Sequence, residues 1–158
     1  MDIDSLKLEK QLCFALYACS KEVIRSYKPI LDAFDISYTQ YITLLVLWEQ
    51  DGITMKELGQ KLYLASNTLT PVIKKLEKKK LIMRLRNPND ERSIFIQLTE
   101  LGLKMRSEAI EIPQKAFCKT GLELEELRTL RGVLHKLLGN LTEHYKEIEE
   151  ENDNEKDY

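Results

Sequence analysis

Thr54-Met55-Lys56-Glu57-Leu58-Gly59-Gln60-Lys61-Leu62, Tyr63-Leu64-Ala65 and Ser66-Asn67-Thr68-Leu69-Thr70-Pro71-Val72-Ile73-Lys74-Lys75-Leu76-Glu77-Lys78 follow one another in the middle of the chain. Thr54 and Glu57 have the spacing of a capping box, in which a hydroxyl and a carboxylate satisfy the free N–H groups of a helix start. The short helix behind them turns Met55, Leu58 and Leu62 inward. Ser66 is a further cap candidate, and it opens a helix with Leu69, Ile73 and Leu76 toward the core. Pro71 lies near enough to that start for its missing N–H to cost little. Asn67, Thr68, Thr70, Lys74, Lys75 and Lys78 are left outside. Ile82-Met83-Arg84-Leu85-Arg86 then alternates with period two, Asn87-Pro88-Asn89-Asp90 is turn chemistry, and Ser93-Ile94-Phe95-Ile96-Gln97-Leu98 alternates again. Alternating runs around such a turn form a hairpin. Two short helices and a hairpin make a helix-turn-helix with a wing.

That arrangement has a chemical reading. The major groove admits one helix, and the second of the pair presents its polar face to base edges. Ser66, Asn67, Thr68 and Thr70 suit base edges and phosphates, while Lys74, Lys75 and Lys78 suit phosphates. Arg84, Arg86 and Arg92 on the hairpin suit the sugar–phosphate backbone or a narrow minor groove. The net charge of −2 hides an uneven distribution. Lys56 to Arg92 holds ten Lys and Arg against four acids, a surplus of +6, and Tyr145 to Tyr158 holds two Lys against seven acids, −5. Concentrated positive charge is the footprint of a nucleic-acid reader. The competing readings are a solvated basic surface without that role, and a packaging protein indifferent to base sequence.

On the N-terminal side, Leu8, Leu12, Ala15, Leu16, Cys19 and Val23 recur at helical steps. Cys13, Tyr17, Ser20, Ile24, Tyr27 and Leu31 form a second stripe on the same helix. A helix that hides two faces has two neighbours, and one of them is read as a second copy of the chain. Pro29 belongs near its end. Ser37-Tyr38-Thr39-Gln40 is another capping box, followed by Tyr41, Leu44, Leu45 and Trp48 and ended by Asp51-Gly52. Past the hairpin, Thr99 caps a helix with Leu103, Met105, Ala109 and Ile112, which Pro113 interrupts. Leucines at 124, 127, 130, 134, 137, 138 and 141 mark a long final helix.

The expected fold is mainly α with a small β-hairpin wing. Residues 1–148 are read as one domain, with dimerisation helices over 1–35 and 100–148 and the winged helix-turn-helix over 37–98. An acidic, apolar-poor tail over 149–158 is expected to lack order. At 43% hydrophobic residues the chain is not dominated by disorder, and six Gly and four Pro exclude collagen-like and linker-like sequence. The longest uncharged window, Ile36 to Trp48, is too short for a membrane span. The acidic start Met1-Asp2-Ile3-Asp4 is unlike a secretory signal, so a cytoplasmic protein without membrane partners is expected. His135 and His144 stand on the last helix without Cys, His or Asp at ligand spacing, so no metal or cofactor is expected.

Asp90-x-Arg92 followed by Leu98-Thr99-x-x-Gly102 resembles the wing-to-helix signature of the MarR family of winged-helix transcriptional regulators, and the likeness runs from about Leu6 to Leu141. It implies a homodimer intertwined through its first and last helices and an inverted-repeat operator on double-stranded DNA, with two readers about 34–36 Å apart. It also implies that Arg92 contacts DNA and that Asp90 braces it. One departure is Lys80, where relatives often have Gly before the pair matching Leu81-Ile82; a left-handed conformation there would carry a backbone cost. Leu8-Glu9-x-Gln11-Leu12-Cys13-Phe14-x-Leu16-Tyr17, Tyr27-Lys28-Pro29-x-Leu31, Tyr38-x-Gln40-Tyr41, Leu62-Tyr63-Leu64 and Leu69-Thr70-Pro71 are similar to the OhrR branch, whose members sense organic hydroperoxides.

Only a thiolate attacks a peroxide, and an ordinary thiol is mostly protonated near neutral pH. Cys13 and Tyr17 are four apart on one helical face, so a phenol O–H can be donated to the sulfur. The resemblance implies that Tyr27 and Tyr38 approach Cys13 from the partner subunit. Phe14, Leu16 and Ile24 make the surroundings apolar, which suits an organic peroxide. Oxidised Cys13 would be a sulfenic acid that condenses with a nearby thiol. Cys19, six residues along the helix, could reach it only after unwinding. Cys118 stands where two-cysteine members of the branch carry a resolving cysteine that bridges to the other subunit, and one-cysteine members use a small cellular thiol instead. Three cysteines do not make a structural disulfide framework. The expectation is a regulator, read as a repressor and not an enzyme, that binds DNA when reduced and releases it when oxidised. Two alternatives stand beside it: a regulator relieved by a small aromatic acid in the dimer crevice with Cys13 inert, and a thiol peroxidase, for which the basic helix and wing would have no purpose.

Overall fold

A computed structural model describes residues 3–87 and 90–156, and for 87, 90–93 and 144–156 it describes the backbone alone. The chain divides into two compact units, residues 1–119 and 120–158. The first unit opens with two 3-10 turns, Ile3–Leu6 and Leu8–Lys10. Helix α1 (Leu12–Leu31) follows, with Pro29 tolerated in its last turn, and then α2 (Tyr38–Glu49). The central part comprises strand β1 (Ile53–Thr54), α3 (Met55–Leu62), α4 (Ser66–Lys78), and strands β2 (Ile82–Asn87) and β3 (Asp90–Leu98). Helices α5 (Glu100–Glu108) and α6 (Ile112–Phe117) close the unit.

The expected caps at Ser37 and Thr54 both form complete boxes. Ser37 Oγ accepts from the Gln40 N–H while Gln40 Oε1 accepts from the Ser37 N–H; Thr54 and Glu57 do the same. Ser66 differs from expectation. The extended residue before α4 is Ala65, no side chain caps the helix, and Ser66 is its first helical residue, its carbonyl accepting from Thr70 Oγ1 at 2.7 Å.

The sheet has three strands in the order β1-β3-β2, all antiparallel. Strand β1 is too short to show alternation in sequence, yet it pairs Ile53 with Ile96 and Thr54 with Phe95. In the hairpin Ile82 faces Leu98 and Arg84 faces Ile96, with an irregularity between Arg86 and Asn87. Ile82, Ile96 and Leu98 therefore point into the core, beside Leu44, Leu47, Leu58, Leu69, Ile73 and Leu76. Asp51 binds the sheet to the end of α2, its Oδ1 accepting from the Leu98 N–H at 2.8 Å.

The joint between α4, the wing and α5 explains the Leu98-Thr99-x-x-Gly102 pattern. Thr99 caps α5 by accepting from the Gly102 N–H, and its hydroxyl donates to the Lys80 carbonyl. A Cβ on Gly102 would lie 2.1 Å from the Leu81 carbonyl oxygen, so only glycine permits this approach. Trp48 Nε1 donates to the Gly102 carbonyl at 2.9 Å and ties α2 to the same point. Lys80 is left-handed, with φ of 59°.

The second unit is α7 (Leu124–Lys156). Its helical backbone runs to Lys156, and glutamate and lysine are good helix formers. Leu130, Val133, Leu134, Leu138 and Leu141 along it are exposed. No single helix among the described residues is long and apolar enough to cross a membrane.

Candidate redox switch and nucleic-acid interface

The candidate reader comes together as the residue pattern predicts. Leu69, Ile73 and Leu76 anchor one face of α4 in the core, which leaves Ser66, Asn67, Thr68, Lys74, Lys75 and Lys78 exposed and Thr70 half-buried. Asn67 Oδ1 accepts from the Thr68 N–H at 2.8 Å, holding the helix start without closing its polar face. The turn between α3 and α4 is compact because Gly59 lets the chain double back. A Cβ there would sit 2.8 Å from the Leu64 carbonyl, and Tyr63 takes a left-handed conformation with its ring largely in solvent. Arg86 is exposed on β2. Arg84 is engaged with Glu77 of α4, donating from Nε to Oε1 at 3.1 Å and from Nη2 to Oε2 at 2.5 Å. Hydrogen bonding from Arg84 holds the Glu77 carboxyl below its ordinary value. The side chains of Asp90 and Arg92 lie outside the described residues.

The candidate sensor is divided. Cys13 and Tyr17 stand at the N-terminal end of α1, both exposed, with the Lys21 ammonium 5.2 Å above the Tyr17 ring. Tyr27 and Tyr38 meet at the other end of α1, their rings 5.2 Å apart edge to face. Fourteen residues separate Cys13 from Tyr27, about 21 Å at the rise of an α-helix. One chain thus cannot bring these phenols to its own sulfur. Beside Cys13 the apolar side chains Leu12 and Phe14 are exposed, as are Val23 and Ile24 further along α1. Tyr41 joins the phenol cluster, its ring 5.9 Å from that of Tyr27. Burial pushes all three phenols up, Tyr41 to about 12, so they keep their protons and can serve as donors.

All three cysteines are free and exposed. Cys118 ends α6, which packs on α1 far from Cys13: the neighbouring Lys119 Nζ donates to the Ser26 carbonyl at 3.2 Å. Ser26 is thirteen residues beyond Cys13, about 20 Å along the helix, whereas a disulfide needs Cα atoms within roughly 7 Å. A bond between Cys13 and Cys118 of the same chain is sterically excluded in this fold.

Comparison with known proteins gives the family of the chain. The chain is 46% identical over 138 residues to the organic hydroperoxide resistance transcriptional regulator of Bacillus subtilis, covering 87% of this chain and 94% of that one. The chain belongs to the MarR family of winged-helix transcriptional regulators. It falls in the organic-hydroperoxide-regulator branch of that family. The family model of the transcriptional regulators SarA/Rot matches residues 25–110. The regulator SarZ of Staphylococcus aureus is 43% identical over 140 residues, covering 86% of this chain and 95% of that one. Reduced AbfR bound to DNA, a protein of Staphylococcus epidermidis, superposes with a TM-score of 0.73 at 33% identity, covering 90% of this chain and 99% of that one. Disulfide-formed AbfR superposes with a TM-score of 0.61 at 31% identity, covering 90% and 95%.

Two features of this MarR-family chain carried little sequence signal. The Glu77–Arg84 pair joins a helix to a strand across a left-handed turn, where no periodicity applies. A cleft of about 740 Å³ is lined by Arg25 and Lys28 of α1, Asp32 and Asp35 after it, Tyr38 and Gln40 of α2, Lys75 of α4 and Lys79 just past its end. Lys79 also forms an ion pair with Asp35, itself left-handed, and so links the end of α4 to the segment before α2.

Proposed function

We propose that this chain is a cytoplasmic, homodimeric DNA-binding transcriptional repressor that senses organic hydroperoxides at Cys13 and leaves an inverted-repeat operator when that residue is oxidised. The observation that carries the reading is the division of the sensor. A free, exposed cysteine lies among exposed apolar side chains at one end of α1, and donor phenols that retain their protons lie at the other end. Antiparallel pairing of two α1 helices would place Cys13 of one chain beside Tyr27 and Tyr38 of the partner subunit, with Tyr17 contributed in cis. Three O–H donors favour the thiolate over the thiol.

The thiolate attacks one oxygen of the hydroperoxide, the O–O bond breaks, and the alcohol leaves after protonation; Cys13 becomes a sulfenic acid by a two-electron oxidation. The thiolate of a second cysteine then attacks that sulfur and expels water, leaving a disulfide. Since Cys118 of the same chain is out of reach, a bridge to it has to cross between subunits. A small cellular thiol is the other resolving partner. Either product displaces the helices that carry the two readers. Two readers out of register lose simultaneous contact and most of their joint affinity. Disulfide-formed AbfR superposes less well on this chain than the reduced and the overoxidised DNA-bound forms, which supports a rearrangement for the disulfide product. On the reader, Ser66, Asn67, Thr68 and Thr70 meet base edges, Lys74, Lys75 and Lys78 with Arg86 and Arg92 meet phosphate or minor groove, and Asp90 braces Arg92.

A gel shift with operator DNA and cumene hydroperoxide, with and without dithiothreitol, tests this reading. Wild-type protein should release DNA on oxidation and rebind it on reduction. Cys13→Ser should bind with unchanged affinity and ignore peroxide; release by that variant would remove Cys13 from the mechanism. A second reading takes the cleft as its site: a regulator relieved by a small aromatic acid held by Lys75, which has no ion pair among the described residues, whereas Arg25, Lys28 and Lys79 pair with Glu22, Asp32 and Asp35. Salicylate should then release DNA equally from wild type and Cys13→Ser.

A further inference from the structure

The two described arginines of the wing differ in what they touch. Arg84 makes a bidentate pair with Glu77, and both side chains are only about a third exposed. Arg86, two residues further along β2, is exposed and has no ion-pair partner among the described residues. Glu77 sits in the last turn of α4, and the chain passes from it to β2 through Lys80, whose N–H donates to the Glu77 carbonyl at 2.9 Å. The pair therefore spans the single left-handed turn that sets the angle between the helix and the hairpin. A planar guanidinium held at two points by a carboxylate has few orientations, in contrast to a single ammonium contact. Its positive charge is already matched and is not free to replace a counterion on DNA.

We propose that Arg84 is a positioning residue for DNA recognition and not a phosphate contact: with Glu77 it clamps the wing root to the recognition helix, so that helix and wing enter adjacent grooves together. This rests on the DNA-binding reading above. It assigns the electrostatic contact on β2 to Arg86 and a share of operator specificity to the Glu77–Arg84 pair.

The salt dependence of binding separates these roles, because each phosphate contact adds about 0.9 to the slope of log K against log salt. Full-length wild type, Arg84→Ala, Arg86→Ala and the charge-swapped Glu77→Arg/Arg84→Glu protein are titrated with operator and with random duplex by fluorescence anisotropy. Arg86→Ala should lower the slope by about 1.8 for the two wings of a dimer. Arg84→Ala should leave the slope unchanged and cut the ratio of operator to random-duplex affinity about three- to five-fold, the range of an exposed ion pair. The swapped protein keeps the net charge and should recover most of that ratio. A slope loss in Arg84→Ala equal to that in Arg86→Ala would overturn the proposal, as would a swapped protein no better than the single variant. Thermal melts confirm that each variant is folded. If wild type itself shows no salt-dependent duplex binding, the DNA-binding reading fails and this inference fails with it.

Discussion

The reader and the sensor of this protein are built on opposite principles. The helix-turn-helix and the described part of its wing are held together within one chain. Their polar residues are fixed by short-range devices: a capping box at Thr54, a tight turn over Gly59, the Glu77–Arg84 pair, and the docking of Gly102 under Leu81. The candidate sensor is not assembled within one chain, because Cys13 stands at the start of α1 and the Tyr27–Tyr38 pair meets near its end. A rigid helix keeps them apart as firmly as a rigid turn keeps the reader together. In the reading proposed above, oxidation at such a split site acts first on how two chains fit, and reaches the reader by moving it as a body.

That contrast can be broken on the reader side with Gly102→Ala. The added methyl would meet the backbone of Leu81, which has no side-chain freedom to yield, so a loss of about 3 kcal/mol is expected, at the upper end for overpacking. Urea denaturation measures it. Stability within 0.5 kcal/mol of wild type would show that the joint between α4, the wing and α5 is looser than described.

On the sensor side the test is alkaline titration. Buried Tyr41 has its value raised from 10 to about 12. Its neutral form is therefore favoured by folding; the stabilisation is whole below pH 10 and is lost as pH climbs toward 12, where the unfolded chain ionises first. Wild type should lose on the order of 2 kcal/mol across that window relative to Tyr41→Phe. Parallel curves for the two proteins would place the phenol cluster in water, where it could not act as a set of fixed donors.

The smallest effect sharpens the picture of the wing root. Lys80 carries φ of 59°. A left-handed L-residue costs roughly 1–2 kcal/mol, and glycine gives back about 0.5–1 of that through its greater unfolded entropy. Lys80→Gly should thus stabilise the chain by about 0.5–1 kcal/mol in thermal melts, with oxidation of Cys13 unchanged. Destabilisation would mean that the Lys80 side chain itself supports the turn.

Much of this architecture is legible in the residue pattern. The capping boxes at Ser37 and Thr54, the apolar spacing of α4 and the alternation of the hairpin are local rules, and each holds. Strand β1 was not legible, since two residues contain no pattern and their pairing with Ile96 and Phe95 depends on a segment some forty residues away. The cap assigned to Ser66 went to Ala65 for a related reason: several polar residues in a row leave the first helical residue undetermined by type alone, and the path of the Tyr63 turn selects it.

Residue order alone was enough to establish a winged helix-turn-helix, because caps, helical spacing and strand alternation act over a few residues and do not depend on what they pack against. It was also enough to pick out Cys13, Tyr17, Tyr27 and Tyr38 through their likeness to a family. Only the folded chain could show that Cys13 is too far from Tyr27 of its own chain to accept its hydrogen bond and too far from Cys118 to form a disulfide, or that Arg84 is paired with Glu77. Those facts are distances between remote residues, and distances of that kind come from the rise of a helix and the turn of a wing, which a linear string does not contain.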